Sequence, residues 1–495
     1  MGYFMGIDLG TSSVKALISD EKGTVYGLGQ KEYGTEIPEI GYAQQDPELW
    51  WSRTKEAVMD AVKNAGIKGD AVAGIGFSGQ MHGLVALDRE GRPLGKAIIH
   101  LDQRSAAERR EIIEKAGELL REELFNQPGT GMLVCSLLWI KRNCPEIYEK
   151  IAWVLPPKDY IRYRLTGEIC TDHNDASAAL AFSVKNREWC MELIRRLGLK
   201  TDIWPRVCTA WEQAGTVSGA AAEETGLSAG IPVMTGTGDC AAQLIGNGVA
   251  EEGIMSCNIG TASQLAVVTG KPVQEEKMRC QLWCHAVPGL WICQGGALNG
   301  GSVLSWLKNK VLRDRRPFAE LDREASAVPA GCEGLLFLPY LAGERTPYQD
   351  PSARGVFFGL GMKHEQAYLV RAAMEGVLFN LMECRGIFDR MDIPVRSLVA
   401  SGGAARGECW RQIQADMLDM PVRTTVVQEE ACLGAAILAA VGAGVYPDIE
   451  TACREMVRWN PGATEPMVEN VRIYKEKQEI FRELYQSVKQ IFPKL

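Results

Sequence analysis

Apolar and polar positions alternate in short blocks from the start of the chain. "YFMGID" is apolar and β-prone, "LGTS" is a turn, "SVKALISD" alternates, and "EKG" turns into "TVYGLG". The first 30 residues therefore predict three strands joined by tight turns. "QDPELWW" opens a helix, with Asp46 suited to the N-cap, Pro47 to the first turn and Glu48 to the positive end of the helix dipole. "VAGIGFSGQMHG" (72–83) reads as a strand ending in a Gly-bounded polar loop. The pattern from Arg104 to Asn126 predicts an amphipathic helix with a solvated charged face, and 472–492 predicts another. "SLVASGGAARGECWRQIQADML" (397–418) reads as strand, Gly-Gly turn and amphipathic helix. "ACLGAAILAAVGAG" (431–444) predicts a helix of small residues that permits close backbone approach. The class is α/β throughout.

The frame x-Gly-Thr-x-Ser occurs twice, in "DLGTSSVKAL" (8–17) and "NIGTASQLAV" (258–267), each time after an apolar strand. Two halves that open with the same β-turn-β device indicate a duplicated domain. "GNGVAEEGI" (246–254), rich in Gly and charge, is the expected hinge between them. A length of 495 residues exceeds a single core, which agrees with more than one domain.

Charge and composition remove several classes of function. The net charge of −8 argues against an electrostatic grip on nucleic acid or anionic lipid. No apolar run reaches membrane-spanning length, and the chain enters its first strand without a signal-peptide pattern. Fifteen cysteines in such a chain read as reduced, mostly buried thiols, and the expected location is cytoplasmic. The cluster Cys280, Cys284, His285 has loose spacing for zinc, and reads as structural.

Candidate chemistry gathers at glycine turns. Backbone N–H groups, hydroxyls and helix N-termini make phosphate sites. Such turns stand at Gly10-Thr11-Ser12-Ser13, Gly236-Thr237-Gly238, Gly260-Thr261 and Gly402-Gly403, and no Walker signature is present. Asp239 follows the second turn and leads an Ala-rich helix; alone it could cap the helix, bind a metal or act as a base.

The segments "GIDLGTSSVKALI" (6–18), "GTGDCAAQLIGNG" (236–248), "NIGTASQL" (258–265) and "SGGAARGECWRQIQADMLDMPV" (401–422) resemble the phosphate and adenosine segments of the actin-like ATPase superfamily. "GVFFGLGMKHEQAYLVRAAMEG" (355–376) resembles the signature of its carbohydrate-kinase branch, the FGGY kinases. Within that branch "GFSGQMHG", "PKDYIRYRLTGE" (157–168) and "FLPYLAGERTPYQDPSARGVFFGL" (337–360) are similar to xylulokinases.

The resemblance implies two ribonuclease-H-like domains, 1–247 holding sugar and base and 248–495 mainly nucleotide, with an interdomain cleft. It implies ATP and Mg²⁺, a small sugar substrate, no nucleic acid or membrane partner, and allows a homodimer. Asp239 becomes the base and Asp8 orients magnesium, through water. Thr11, Ser12, Ser13 and Lys15 are expected at the phosphates. Gly260, Thr261, Gly301, Ser305, Gly402, Gly403 and Gly407 are expected around the nucleotide. Gln80, Met81, His82, Asp102, Asp239 and Cys240 are expected at the sugar.

The implied reaction is ATP-dependent phosphorylation of a ketopentose, D-xylulose to D-xylulose 5-phosphate. Two departures bear on which sugar is held: Cys240 replaces the usual Asn after the catalytic Asp, and His100-Leu101-Asp102 replaces Trp-x-Asp. The alternatives are an FGGY kinase of L-xylulose, L-ribulose, gluconate or a polyol, and a non-metabolic actin-like ATPase. A catalytically dead sugar sensor would require loss of Asp239 or Asp8, and both are present.

Overall fold

The computed structural model describes residues 2–495. The three opening strands form as the alternation predicts, at Tyr3–Leu9, Ser13–Asp20 and Val25–Glu32, all antiparallel neighbours. Val72–Gly79 then joins Tyr3–Leu9 in parallel, after a helix at Pro47–Ala65 whose N-cap Asp46 accepts the Glu48 N–H. Pro232–Met234 and Gln213–Thr216 extend the sheet beyond Val72–Gly79, and Thr237–Gly238 pairs with the far end of the same strand.

The second sheet repeats this plan. Ile254–Ile259, Ser263–Thr269 and Trp291–Ala297 are antiparallel in sequence, and Ser397–Ser401 pairs in parallel with Ile254–Ile259. Each x-Gly-Thr-x-Ser frame thus closes the hairpin between the first two strands of its sheet, as the internal repeat predicts. Gln281–Cys284 and Val422–Thr424 complete the edges. The helix expected over 104–126 is helical at Ala106–Leu119 and continues as a wider turn at Leu120–Leu124. The chain passes between the two sheets at 246–254, where Gly248 and Gly253 both take positive φ.

The small-residue helix, Glu430–Gly442, follows the second sheet in the chain but packs on the first. A Cβ on Gly6 would fall 1.8 Å from the Cys432 carbonyl oxygen, and one on Gly76 would fall 1.9 Å from that of Ala435. The same helix crosses Asp239–Gly246 so closely that a Cβ on Gly434 would meet the Ala242 carbonyl at 1.9 Å. The two halves of the sequence are therefore locked together through backbone contact beside the helix that Asp239 begins.

Candidate active site

Three strands set the site by register. Asp8 pairs with Ser78, and Ser78 pairs with Thr237, so these residues form one row across Tyr3–Leu9, Val72–Gly79 and Thr237–Gly238. Two strand spacings separate Asp8 from Thr237, roughly 10 Å. Asp239 follows at once, as the first residue of its helix after Gly238. Asp239 is half-buried, and the Cys240 backbone N–H beside it favours its charged form. Burial, and then the charge of Asp8, push the Asp239 carboxyl up to about 7. Asp8 is also raised, by burial, against the Ser78 hydroxyl that donates to it at 2.7 Å and the nearby Lys15 ammonium. Two neighbouring carboxylates, each held above its ordinary value, mark a place suited to a cation or a proton.

The first glycine turn is braced from behind. Gly10 N–H donates to Ser13 O at 3.0 Å, the Tyr33 hydroxyl donates to Gly10 O, and Gln45 Nε2 donates to Thr11 O at 2.8 Å. Ser12 is exposed, and Thr11 and Ser13 are half-buried. Lys15, cross-strand partner of Asp8, is part-exposed and paired with Glu429 at 2.5 Å, so it stands in an ion pair where a free cation was expected.

In the second sheet Gly301 N–H donates to Gly260 O at 2.7 Å and Ser302 N–H to Thr261 O at 3.2 Å, which seats that turn on the Gly301–Trp306 helix carrying Ser305. Gly402, at φ 75°, rests against Asn258 and Ile259, with Gly403 open beside it. Gly260, Thr261, Gly301, Ser305, Gly402 and Gly403 are thus neighbours. Gly407 instead abuts Asp322, whose carboxylate accepts the Cys409 and Trp410 N–H groups at the next helix start. A cavity of about 580 Å³ opens on Lys15, Gly402, Gly403, Thr424, Gln428 and Asn460. It takes in three of the expected residues and lies away from Asp239.

Among the residues expected at the sugar, Met81 lies directly on Gly238: a Cβ there would come within 2.7 Å of Met81 Cγ. His82 takes positive φ, shares its Nδ1 with the Ala178 carbonyl at 2.9 Å, and meets the Trp283 ring edge-on at 5.3 Å. Burial pushes the His82 imidazole down to about 4, so it is neutral at physiological pH.

Three expected sugar contacts are employed otherwise. Asp102 is fully buried and accepts from Ala43 N–H at 2.7 Å, Arg104 N–H at 2.9 Å and Arg104 Nε at 2.8 Å. It ties its own loop and has no reach to a sugar. Gln80 is buried and donates to Gln45 at 3.0 Å, behind the first glycine turn. The Cys240 thiol donates to Gln294 Oε1 of the second sheet at 3.1 Å. His285, from the cysteine cluster, has both ring nitrogens occupied by the Val249 carbonyl and the Val287 N–H.

The FGGY family of carbohydrate kinases matches this chain twice, its N-terminal domain over residues 3–246 and its C-terminal domain over 255–443. The chain belongs to the FGGY family of carbohydrate kinases. Its two mixed sheets are the two-domain, actin-like fold of that family. It is 33% identical over 491 residues to the xylulose kinase of Bacillus subtilis, covering 99% of this chain and 98% of the relative. It is 31% identical to a gluconokinase of the same organism, over 97% of this chain and 94% of the relative. The crystal structure described as a xyloylose kinase from Brucella ovis superposes with TM-score 0.92 at 32% identity, covering 99% of this chain and 100% of that one.

A buried charge cluster beneath Asp239 escaped the sequence reading of this FGGY kinase. Lys158 is wholly buried and bonds Asp159 at 2.7 Å, Asp172 at 3.0 Å and Asp175 at 3.1 Å. Asp172 in turn accepts the Thr237 hydroxyl at 2.8 Å, and Gly238 sits against Asn174 and Asp175. The cluster holds the strand that delivers Asp239. A Lys-Asp pair behind two prolines in "PPKDYIRYR" was the available signal, since a lysine in an otherwise apolar helix face requires buried partners.

Among the described residues no group of three or more His, Cys, Asp or Glu side chains is placed to hold a metal. Two carboxylates without a cage fit an ion that keeps most of its water, as magnesium does. No helix of the described residues is long and apolar enough to cross a membrane.

The raised Asp239 carboxyl gives a pH prediction. A base must be deprotonated, so kcat/KM should rise tenfold per pH unit below about 7 and level off above it. Stability runs the other way. The folded carboxyl keeps its proton up to about 7 whereas an unfolded one loses it near 3.8, so this group's contribution falls as pH rises across that window. A pH–rate profile of the free enzyme checks the first sign; a profile flat from pH 5.5 to 8 would remove Asp239 from the titrating step.

Proposed function

We propose that this FGGY kinase transfers the γ-phosphoryl group of ATP to the terminal hydroxyl of a ketopentose, converting D-xylulose to D-xylulose 5-phosphate. Asp239 accepts the hydroxyl proton as the sugar oxygen bonds to phosphorus, and the bond to the ADP oxygen breaks. The observation that carries this reading is the Asp239 carboxylate, half-buried, free of side-chain partners, held up to about 7 and carried just past the strand whose Thr237 shares a row with Asp8. Met81 walls the sugar and His82 offers its free ring nitrogen to a hydroxyl.

In this reading residues 1–247 hold sugar and base, and 248–495 hold most of the nucleotide. The Thr11-Ser12-Ser13 turn and the Gly260, Gly301 and Gly403 backbone take the nucleotide, with Lys15 steadied by Glu429 at the edge. Asp8 would hold magnesium through water, and the bound ion would offset phosphate charge. Closure of the domains about 246–254 excludes water from the transfer. The fifteen thiols are unpaired, nearly all of them buried, which suits a reducing cytoplasm.

Relatives named xylulose kinase at 33% and 34% identity support the ketopentose; the gluconokinase at 31% is the nearest rival. A coupled ADP-release assay with D-xylulose, L-xylulose, L-ribulose, gluconate and a polyol tests it. We expect kcat/KM for D-xylulose at least tenfold above every other acceptor. A higher value for gluconate would replace the ketopentose and leave the kinase chemistry in place.

A further inference from the structure

The sugar side of the cleft carries two polar groups that nothing above employs, His100 and Arg345. Leu84 and Ile98 exchange both backbone hydrogen bonds, at 2.8 and 3.1 Å, as an antiparallel pair. His82 and His100 stand in the loops two residues beyond that pair, on the same side of it. His100 Nδ1 is buried and has no hydrogen-bond partner. A buried donor or acceptor left unmade costs about 1–3 kcal/mol, so a partner supplied by a ligand is the economical explanation.

Arg345 approaches from the other domain. On Trp291–Ala297, Gln294 and Gly296 share one face. Gln294 receives the Cys240 thiol, and the Arg345 guanidinium lies across Gly296, where a Cβ would sit 3.6 Å from its Nη1. Glu344 is its charged neighbour but forms no side-chain ion pair with it. Its carboxylate is spent on the Leu298 and Arg345 backbone N–H groups and on the amides of Asn299 and Asn380. The Arg345 charge lies near enough to depress both His82 and His100, and burial lowers its own affinity for a proton. A buried guanidinium with five donors, no acceptor and no side-chain ion pair is built for lone pairs. From Gln294 to Gly296 the strand advances about 6.8 Å, a span comparable with an extended five-carbon chain.

We propose that His100 and Arg345 determine specificity by holding the carbonyl-bearing end of the acceptor, two adjacent oxygens, while Asp239 serves the hydroxyl at the other end. The ketone and neighbouring hydroxyl of a ketose meet the planar guanidinium fork, and so does the carboxylate of a sugar acid. The chemistry is shared, and the substrate distinguishes the sources. The inference rests on the kinase reading above, and it makes the closing domain a reader of the sugar as well as a carrier of nucleotide.

The test is steady-state kinetics on Arg345→Met, Arg345→Lys and His100→Leu. For Arg345→Met we expect KM for D-xylulose to rise about 10- to 100-fold, the loss of one charge-assisted pair of hydrogen bonds. KM for ATP should stay within threefold and kcat should change less than KM. Arg345→Lys should recover part of the loss, and His100→Leu should raise the sugar KM about tenfold.

Wild type should bind xylitol, the same chain with its ketone reduced, at least tenfold more weakly than D-xylulose, and Arg345→Met should close that gap. A rise in the ATP KM instead, or a gap that is absent or persists, overturns the inference. If wild type prefers gluconate, the ketopentose reading fails by that fact alone. The inference then requires the gluconate KM of Arg345→Met to rise at least 100-fold, and a KM within threefold of wild type overturns it.

Discussion

Asp239→Asn is expected to lower kcat by about 10³-fold while leaving the KM for ATP within threefold. General-base catalysis contributes roughly 10²- to 10⁴-fold, and the structure gives Asp239 no side-chain partner that could take over the proton. Asp8 cannot substitute, because it is bound to the Ser78 hydroxyl at 2.7 Å and lies across the row. The amide is the same size, so Gly238, Met81 and the helix start keep their packing.

Two further readouts separate lost chemistry from lost structure. The pH–rate profile of the residual activity should lose its rise toward pH 7, because the titrating group is gone. The variant should also melt at a higher temperature than wild type at pH 8, with the difference shrinking toward pH 5. At pH 8 the wild-type carboxylate sits charged in a place that burial and Asp8 disfavour, and the amide has no such charge. A kcat within tenfold of wild type would end the assignment of Asp239 as base.

The parts of the fold that were legible in the sequence are those written over short distances. Period-two alternation followed by Gly-Thr turns is a local signal, and both hairpins stand where it places them. Asp46 was likewise readable as a cap, because capping joins neighbours. Asp8 and Asp239 could be picked out as the end of a strand and the start of a helix. Their nearness depends on Val72–Gly79 lying between the two strands that carry them.

What the sequence concealed are contacts made across the chain. Lys15 reads as a free cation near phosphates until the Glu430–Gly442 helix brings Glu429 to 2.5 Å. Arg345 gains meaning only with His82 and His100, which loops of the first half supply. Asp102 is the instructive case, because two of its three contacts are local. An Asp two residues before an Arg, able to accept that residue's own N–H, forms a closed turn, and a turn of that kind competes with any ligand for the carboxylate.

Gly434→Val should cost the protein more than any surface change, by about 3 kcal/mol or more, at and beyond the upper end of ordinary overpacking. The obstacle is backbone, not a movable side chain. The first added carbon would fall 1.9 Å from the Ala242 carbonyl oxygen and 2.7 Å from the Ala242 carbonyl carbon, so the two helices must part. Separation would drag on both sides of the crossing. Gly246 is pressed against the Glu430 carbonyl in the same junction, and Asp239 begins the helix that would move. Activity should therefore fall together with stability, whereas Asp239→Asn removes activity alone.

With about 2–4 °C of Tm per kcal/mol for a domain of this class, the shift should be on the order of 10 °C. Gly117→Ala is the control, a helical glycine with nothing within 4 Å, and it should be neutral or stabilise by up to about 1 kcal/mol. Differential scanning calorimetry of both variants decides the matter. A Gly434→Val protein that melts within 2 °C of wild type would mean the helices are not in backbone contact. The rigid junction beside the proposed hinge would then have to be sought elsewhere.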